Sequence, residues 1–141
     1  MGAMTLQSGT QVLIGVLLLA LVTVESGGYF MTRVVRRLAP ANALQTSFFR
    51  AGHAHAGVLL ILSIAILVVL ESADLPLAWD LVARNGVPLA AILMPAGFFL
   101  SVLGSDPQRP NRLIVLLWIG AASLTIGLIA AGVGLLVAGL S

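Results

Sequence analysis

Four long apolar runs constrain this chain more than any other feature. They cover residues 11–32, 51–70, 86–104 and 113–138, to within a few positions. Each comes close to the ~20 apolar residues that carry an α-helix across the hydrocarbon of a bilayer. The rest of the composition agrees: 60% of the 141 residues are apolar, only 9% are charged and the mean hydropathy is +1.12. Soluble domains carry about 25% charged residues, and one of this length has too little interior to hide so much apolar surface. A bilayer solvates that surface directly, but it forces every backbone polar group to be satisfied within the protein. The expected fold is therefore all-α: a single integral membrane four-helix bundle over residues 1–141, with antiparallel up-down topology. Pro88 and Pro95 interrupt the third run, and a kink is expected at Pro95, which removes a helix hydrogen bond near mid-span.

Charge placement sets the expected orientation. All seven basic residues are Arg, and six of them fall in two short connections. Residues 33–50 hold Arg33, Arg36, Arg37 and Arg50, and residues 105–112 hold Arg109 and Arg112 beside Asp106. The excess of Arg places both connections in the cytoplasm of a bacterial inner (plasma) membrane and both termini outside. The connection at 71–85 carries Glu71, Asp74, Asp80 and Arg84, with Trp79 as an interfacial anchor. Arg33, Arg36 and Arg37 share a helix face and are expected to meet anionic lipid headgroups. Basic charge confined to loops between apolar runs is a topology signal, so no nucleic-acid partner is expected. The first basic residue follows the first apolar run, whereas a signal peptide places its charge before it; that run is read as a retained helix. The chain has no cysteine, which excludes disulfides and thiolate metal sites.

One polar cluster stands inside the apolar runs. Glu25 is the only carboxylate within a predicted span, where an ionised side chain costs roughly 2.5–3.5 kcal/mol on insertion scales. It precedes Arg33 by eight residues, about 12 Å of helix rise. His53 and His55 follow Arg50 by three and five, about 4.5 and 7.5 Å. If the first two helices form an antiparallel hairpin, Glu25 and His55 lie within about one turn of each other in depth. Glu25, His53, His55 and Arg50 are thus the candidate proton or ligand site. The structural alternatives are a hydrogen bond from Glu25 to His55, Thr23 or Ser26, interfacial hydration of His53, and snorkelling of Arg50. Small residues in SGGYF (26–30) and RAGHAHAG (50–57) make room for a neighbouring helix or a bound group.

Residues at i and i+2 of a helix point about 200° apart, so His53 and His55 face different partners while helical. HAHAG in this respect resembles the His-x-His of heme–copper oxidases, where each imidazole faces a different heme. The resemblance implies heme or a transition metal at His53 and His55, though a second axial ligand would have to be Met31, Met94 or another copy. FFRAGHAHAG, PAGFF and the Gly-rich last run also resemble uncharacterised small four-helix membrane proteins of actinobacteria, a likeness that implies no activity.

The last run carries Ser123, Gly127, Ala131, Gly134 and Ala138 at helical spacing, a stripe that permits close packing on the chain's own helices or on another copy. Three function classes fit. The first is a homo-oligomeric channel or proton-coupled transporter using Glu25 and His55. The second is a heme- or metal-binding protein accessory to a redox complex, and the third a non-catalytic scaffold subunit. No nucleophile–base pair, paired intramembrane carboxylates or phosphate loop points to an enzyme.

Overall fold

The computed structural model describes residues 6–140; the extreme termini, expected outside the cell, fall beyond them. Four helices follow in order: α1 (Ser8–Val35), α2 (Ala43–Leu70), α3 (Leu77–Leu100) and α4 (Val115–Leu140), with a short 3-10 turn at Arg112–Ile114 leading into α4. All four are long and apolar enough to cross a membrane, and no strand occurs among the described residues. The chain is an all-helical membrane protein.

Several boundaries differ from the sequence reading, and three of them have a clear local cause. Helix α2 starts eight residues earlier than expected because Asn42 and Gln45 form a reciprocal capping box. The Asn42 side chain accepts the Gln45 N–H at 2.8 Å, and the Gln45 side chain accepts the Asn42 N–H at 3.0 Å. Arg50 is consequently helical, and the first connection shrinks to residues 36–42. Helix α3 starts at Leu77 rather than 86, directly after Pro76, a residue suited to helix entry. It ends at Leu100, and runs as continuous helix through both Pro88 and Pro95. Helix α1 ends in a Schellman turn: Leu38 N–H bonds to Arg33 C=O at 2.8 Å and Arg37 N–H to Val34 C=O at 3.0 Å. Arg37 occupies the left-handed position of that turn at φ 57°, where glycine is usual.

Close backbone approach is essentially between consecutive helices: α1 with α2, α2 with α3, and α3 with α4. The pairs are unequal. Only 6% of the apolar span of α1 is buried within the chain, against 44% for α3. Helices α3 and α4 meet through glycine. A Cβ added at Gly86 would stand 2.5 Å from Gly127 Cα, and one added at Gly127 would stand 2.8 Å from Gly86 Cα. The Ser123 hydroxyl donates to Gly86 C=O at 2.8 Å, and the Trp79 indole N–H donates to Ala130 C=O at 2.7 Å. Ala131 is buried, and Gly134 packs on Leu75 and Trp79. The small-residue stripe of α4 therefore packs on its own chain over Ser123 to Gly134, and Ala138 at its end lines the same cleft as Asp74 and Trp79. Trp79, expected as an interfacial anchor, thus ties α3 to α4.

The central core gathers Leu17, Leu59, Leu60, Leu67, Val87 and Met94 from the first three helices. At the α1–α2 turn end, Phe49 contacts Phe30 edge-on and stacks on Phe99, with centroids 5.6 Å apart in both pairs. Large apolar side chains such as Leu19, Ile61, Ile92, Trp118 and Leu136 are exposed all around the bundle, as a hydrocarbon solvent permits.

Backbone contact at Gly86 and Gly127 leaves no side chain free to yield. Gly86→Ala or Gly127→Ala is expected to force α3 from α4 and lower stability by about 1–3 kcal/mol. Gly132 has open space around its missing Cβ, and Gly132→Ala should be neutral or stabilise by up to about 1 kcal/mol through helix propensity. Unfolding of the purified protein in mixed micelles measures both; the opposite ranking would contradict this packing.

Candidate functional site

Contacts between α1 and α2 fix the surroundings of the predicted cluster. Cβ atoms added at Gly27 and Gly28 would meet the His53 ring at 3.5 and 3.7 Å, and one added at Gly57 would meet Val24 at 3.8 Å. The α2-facing stripe of α1 is thus Leu17, Val24, Gly27, Gly28, Met31 and Val34. Glu25 lies one residue off this stripe, about 100° around the helix, and faces outward. It is exposed, and among the described residues it makes no hydrogen bond or ion pair.

The two imidazoles diverge, as their spacing requires. His53 fills the space that Gly27 and Gly28 leave on α1. His55 turns to the other side, its ring 5.0 Å from that of Phe98 on α3. Its Nδ1 lies 2.7 Å from the Ala51 carbonyl oxygen. A carbonyl only accepts, so Nδ1 carries a proton and Nε2 is the atom left for other partners. The structure therefore brings His53 against α1 but does not make the expected Glu25–His55 pair. Equal depth is not equal azimuth. Arg50 is exposed and borders a cleft with His53 and Arg36. No group of three or more His, Cys, Asp or Glu side chains converges as a metal site among the described residues.

A second polar centre lies at the opposite end, where an interfacial loop was expected. The early start of α3 makes Asp80 and Arg84 helical and places them one turn apart. The Arg84 Nε donates to both Asp80 carboxylate oxygens, at 2.7 and 2.8 Å. Its Nη1 reaches Glu71 Oε1 at 2.7 Å and the Thr10 hydroxyl at 3.1 Å, and its Nη2 reaches Leu70 C=O at 3.2 Å. One guanidinium thereby joins α1, the end of α2, and α3. Glu71 also accepts the Thr10 hydroxyl at 2.6 Å and the Gln7 N–H at 2.8 Å. Gln7 is the N-cap residue of α1 and has no side-chain cap of its own. Glu71 thus caps α1 from another helix, placing negative charge at its positive end. The Glu71 side chain is 2% exposed. The Thr10 hydroxyl, the Gln7 N–H and the Arg84 guanidinium outweigh burial and hold its carboxyl below the usual carboxylate range. The signals available in sequence were Pro76 at a helix start and Asp80 with Arg84 at i, i+4.

This network is a structural clasp with a pH dependence. Folding lowers the Glu71 pKa, so its stabilisation is fully present above the unfolded carboxylate range and is lost as pH falls through the folded value. Glu71→Gln should be less stable at neutral pH by about 1.5–3 kcal/mol and should show a flatter loss of stability in acid. Equilibrium unfolding across pH in micelles reads both effects; parallel curves for the two proteins would contradict the assignment. In comparison with known proteins, the chain matches no family model, no curated protein and no solved structure.

Proposed function

We propose that this chain is a homo-oligomeric channel or proton-coupled transporter, in which copies meet along the outer face of α1 and Glu25 binds and releases the proton. The observation that carries this reading is the isolation of Glu25. It sits inside an apolar span, exposed, with no partner in the described part of its own chain. Hydrocarbon penalises such a group, and a second copy supplies polar company from outside. Leu18, Val22, Glu25 and Tyr29 are all exposed and are spaced four, three and four residues apart, the pattern of a helix–helix seam. The small burial of α1 fits the same face. Four helices packed mainly in consecutive pairs enclose little space of their own, so the path lies between copies.

In this arrangement the helices alternate up and down, with residues 33–50 and 105–112 cytoplasmic and both termini outside a bacterial inner membrane. The order of interhelix contacts (Val24 with Gly57, Gly27 with His53; Gly86 with Gly127, Gly97 with Leu117) supports the alternation. Six of the seven Arg at one end support the orientation. A bend of α3 at Pro95 belongs to the same reading, since proline leaves one carbonyl without its donor. His53, against Gly27 and Gly28, lies between Glu25 and the arginine-rich end that includes Arg50, and His55 offers Nε2 on the α3 side.

Glu25→Gln is expected to abolish pH-gradient-driven flux in proteoliposomes while the protein stays folded and assembled, and Glu25→Asp to retain part of it. Undiminished flux in the Gln variant would remove Glu25 from the mechanism.

One observation favours a second reading, heme or metal binding. The Nδ1–H of His55 on a backbone carbonyl is the outer hydrogen bond that orients ligating histidines. Purified protein would then show a Soret band or stoichiometric metal that His55→Ala removes; a colourless, metal-free, folded sample eliminates it.

A further inference from the structure

The two ends of the molecule differ in how their charges are used. At the Glu71 end, Arg84 is held by two carboxylates. At the other end, Arg33, Arg36, Arg37, Arg50, Arg109 and Arg112 gather with a single acid, Asp106, whose carboxylate already accepts the Asn42 amide at 2.7 Å. None of the six guanidinium groups finds an acceptor among the described residues. Two of them, Arg36 at the end of α1 and Arg50 on α2, border one cleft of about 420 Å³. Its remaining walls are Met31, Thr32 and Val35 of α1 and His53 of α2. The Thr32 hydroxyl is already committed to Tyr29 C=O at 2.7 Å, so the cleft has a cationic rim over a mainly apolar floor.

We infer that this cleft binds one anionic phospholipid, its phosphate between Arg36 and Arg50 and the start of an acyl chain against Met31 and Val35. The chemistry of both parts is needed. Guanidinium groups present paired N–H donors that match phosphate oxygens, and an anion between two like charges relieves their repulsion. A free phosphate makes no use of the apolar floor. A zwitterionic headgroup brings an ammonium into the cationic rim. The cleft lies where the C-terminal end of α1 meets the first turns of α2, on the arginine-rich side where anionic headgroups are expected, and its size falls within that of small-molecule sites. The site stands independently of the transport reading, because it is tested by binding alone.

Binding is measured on the full-length protein in non-ionic micelles by native mass spectrometry, with thermal stabilisation as a second readout. The probes are phosphatidylglycerol, phosphatidylcholine of the same acyl chains, and inorganic phosphate. Phosphatidylglycerol is expected to saturate at one retained molecule per chain, at least tenfold tighter than either other probe. Arg36→Gln with Arg50→Gln should weaken it at least tenfold, as should Val35→Trp, which fills the cleft and keeps every charge. Arg109→Gln with Arg112→Gln should leave it unchanged. Equal binding of phosphatidylcholine or of inorganic phosphate overturns the site. So does equal loss in the Arg109/Arg112 variant, which would mean diffuse charge attraction, or unweakened binding in Val35→Trp.

Discussion

Hydrocarbon offers a charged side chain neither hydrogen bonds nor counterions, and the polar groups of this chain are distributed accordingly. At one end, Glu71, Asp80, Arg84 and Thr10 satisfy one another across three helices. At the other, side-chain amides satisfy the backbone at and just beyond the end of α3: Asn111 donates to Leu100 C=O, Gln45 to Val102 and Gly104 C=O, and Asn42 to Pro107 C=O. No buried side-chain nitrogen or oxygen is left without a partner among the described residues. Against that background Glu25 is the exception, a carboxylate inside a span that finds no partner among the described residues.

The same constraint separates a tight half of the molecule from a loose one. Helices α3 and α4 approach until glycine backbones touch, with side-chain hydrogen bonds from Ser123 and Trp79 to the facing backbone. Packing of this kind is the main source of helix association in lipid, where burial of apolar surface gives little advantage. Helix α1 has no such contact. Histidine, valine and aromatic side chains fill its boundary with α2, and the Glu71 clasp pins its N-terminal end. Helix α1 is therefore held at one end and lightly packed along its length within its own chain.

The spans and their number were legible because hydropathy over ~20 residues is a strong signal. The packing stripe of α4 was legible because small residues recur at helical spacing. Helix starts were less so: the Asn42–Gln45 box and Pro76 were present, but charged residues after them looked like loop. Within the candidate site, the divergence of His53 and His55 followed from their spacing. The pairing of Glu25 with His55 does not follow from spacing, because residues at similar depth on two helices need not point at each other. Contacts with α2 put Leu17, Val24, Gly28 and Met31 on the facing side of α1, and Glu25 is off that side. The Glu71–Arg84 clasp joins residues far apart in sequence, and only its Asp80–Arg84 arm had a local signature.

The absence of native cysteine makes the central claim directly accessible. Single cysteines at Leu18, Val22 and Ser26 along the outer face of α1, and at Ile126 on exposed α4, are oxidised in native membranes and scored for disulfide-linked dimers. Crosslinking is expected at the α1 positions nearest the Glu25 stripe, strongest at Val22, and none at Ile126. Cysteines on α1 that stay monomeric and are modified freely by lipid-soluble maleimides would show that Glu25 faces lipid alone, and the proposed interface between copies would not exist.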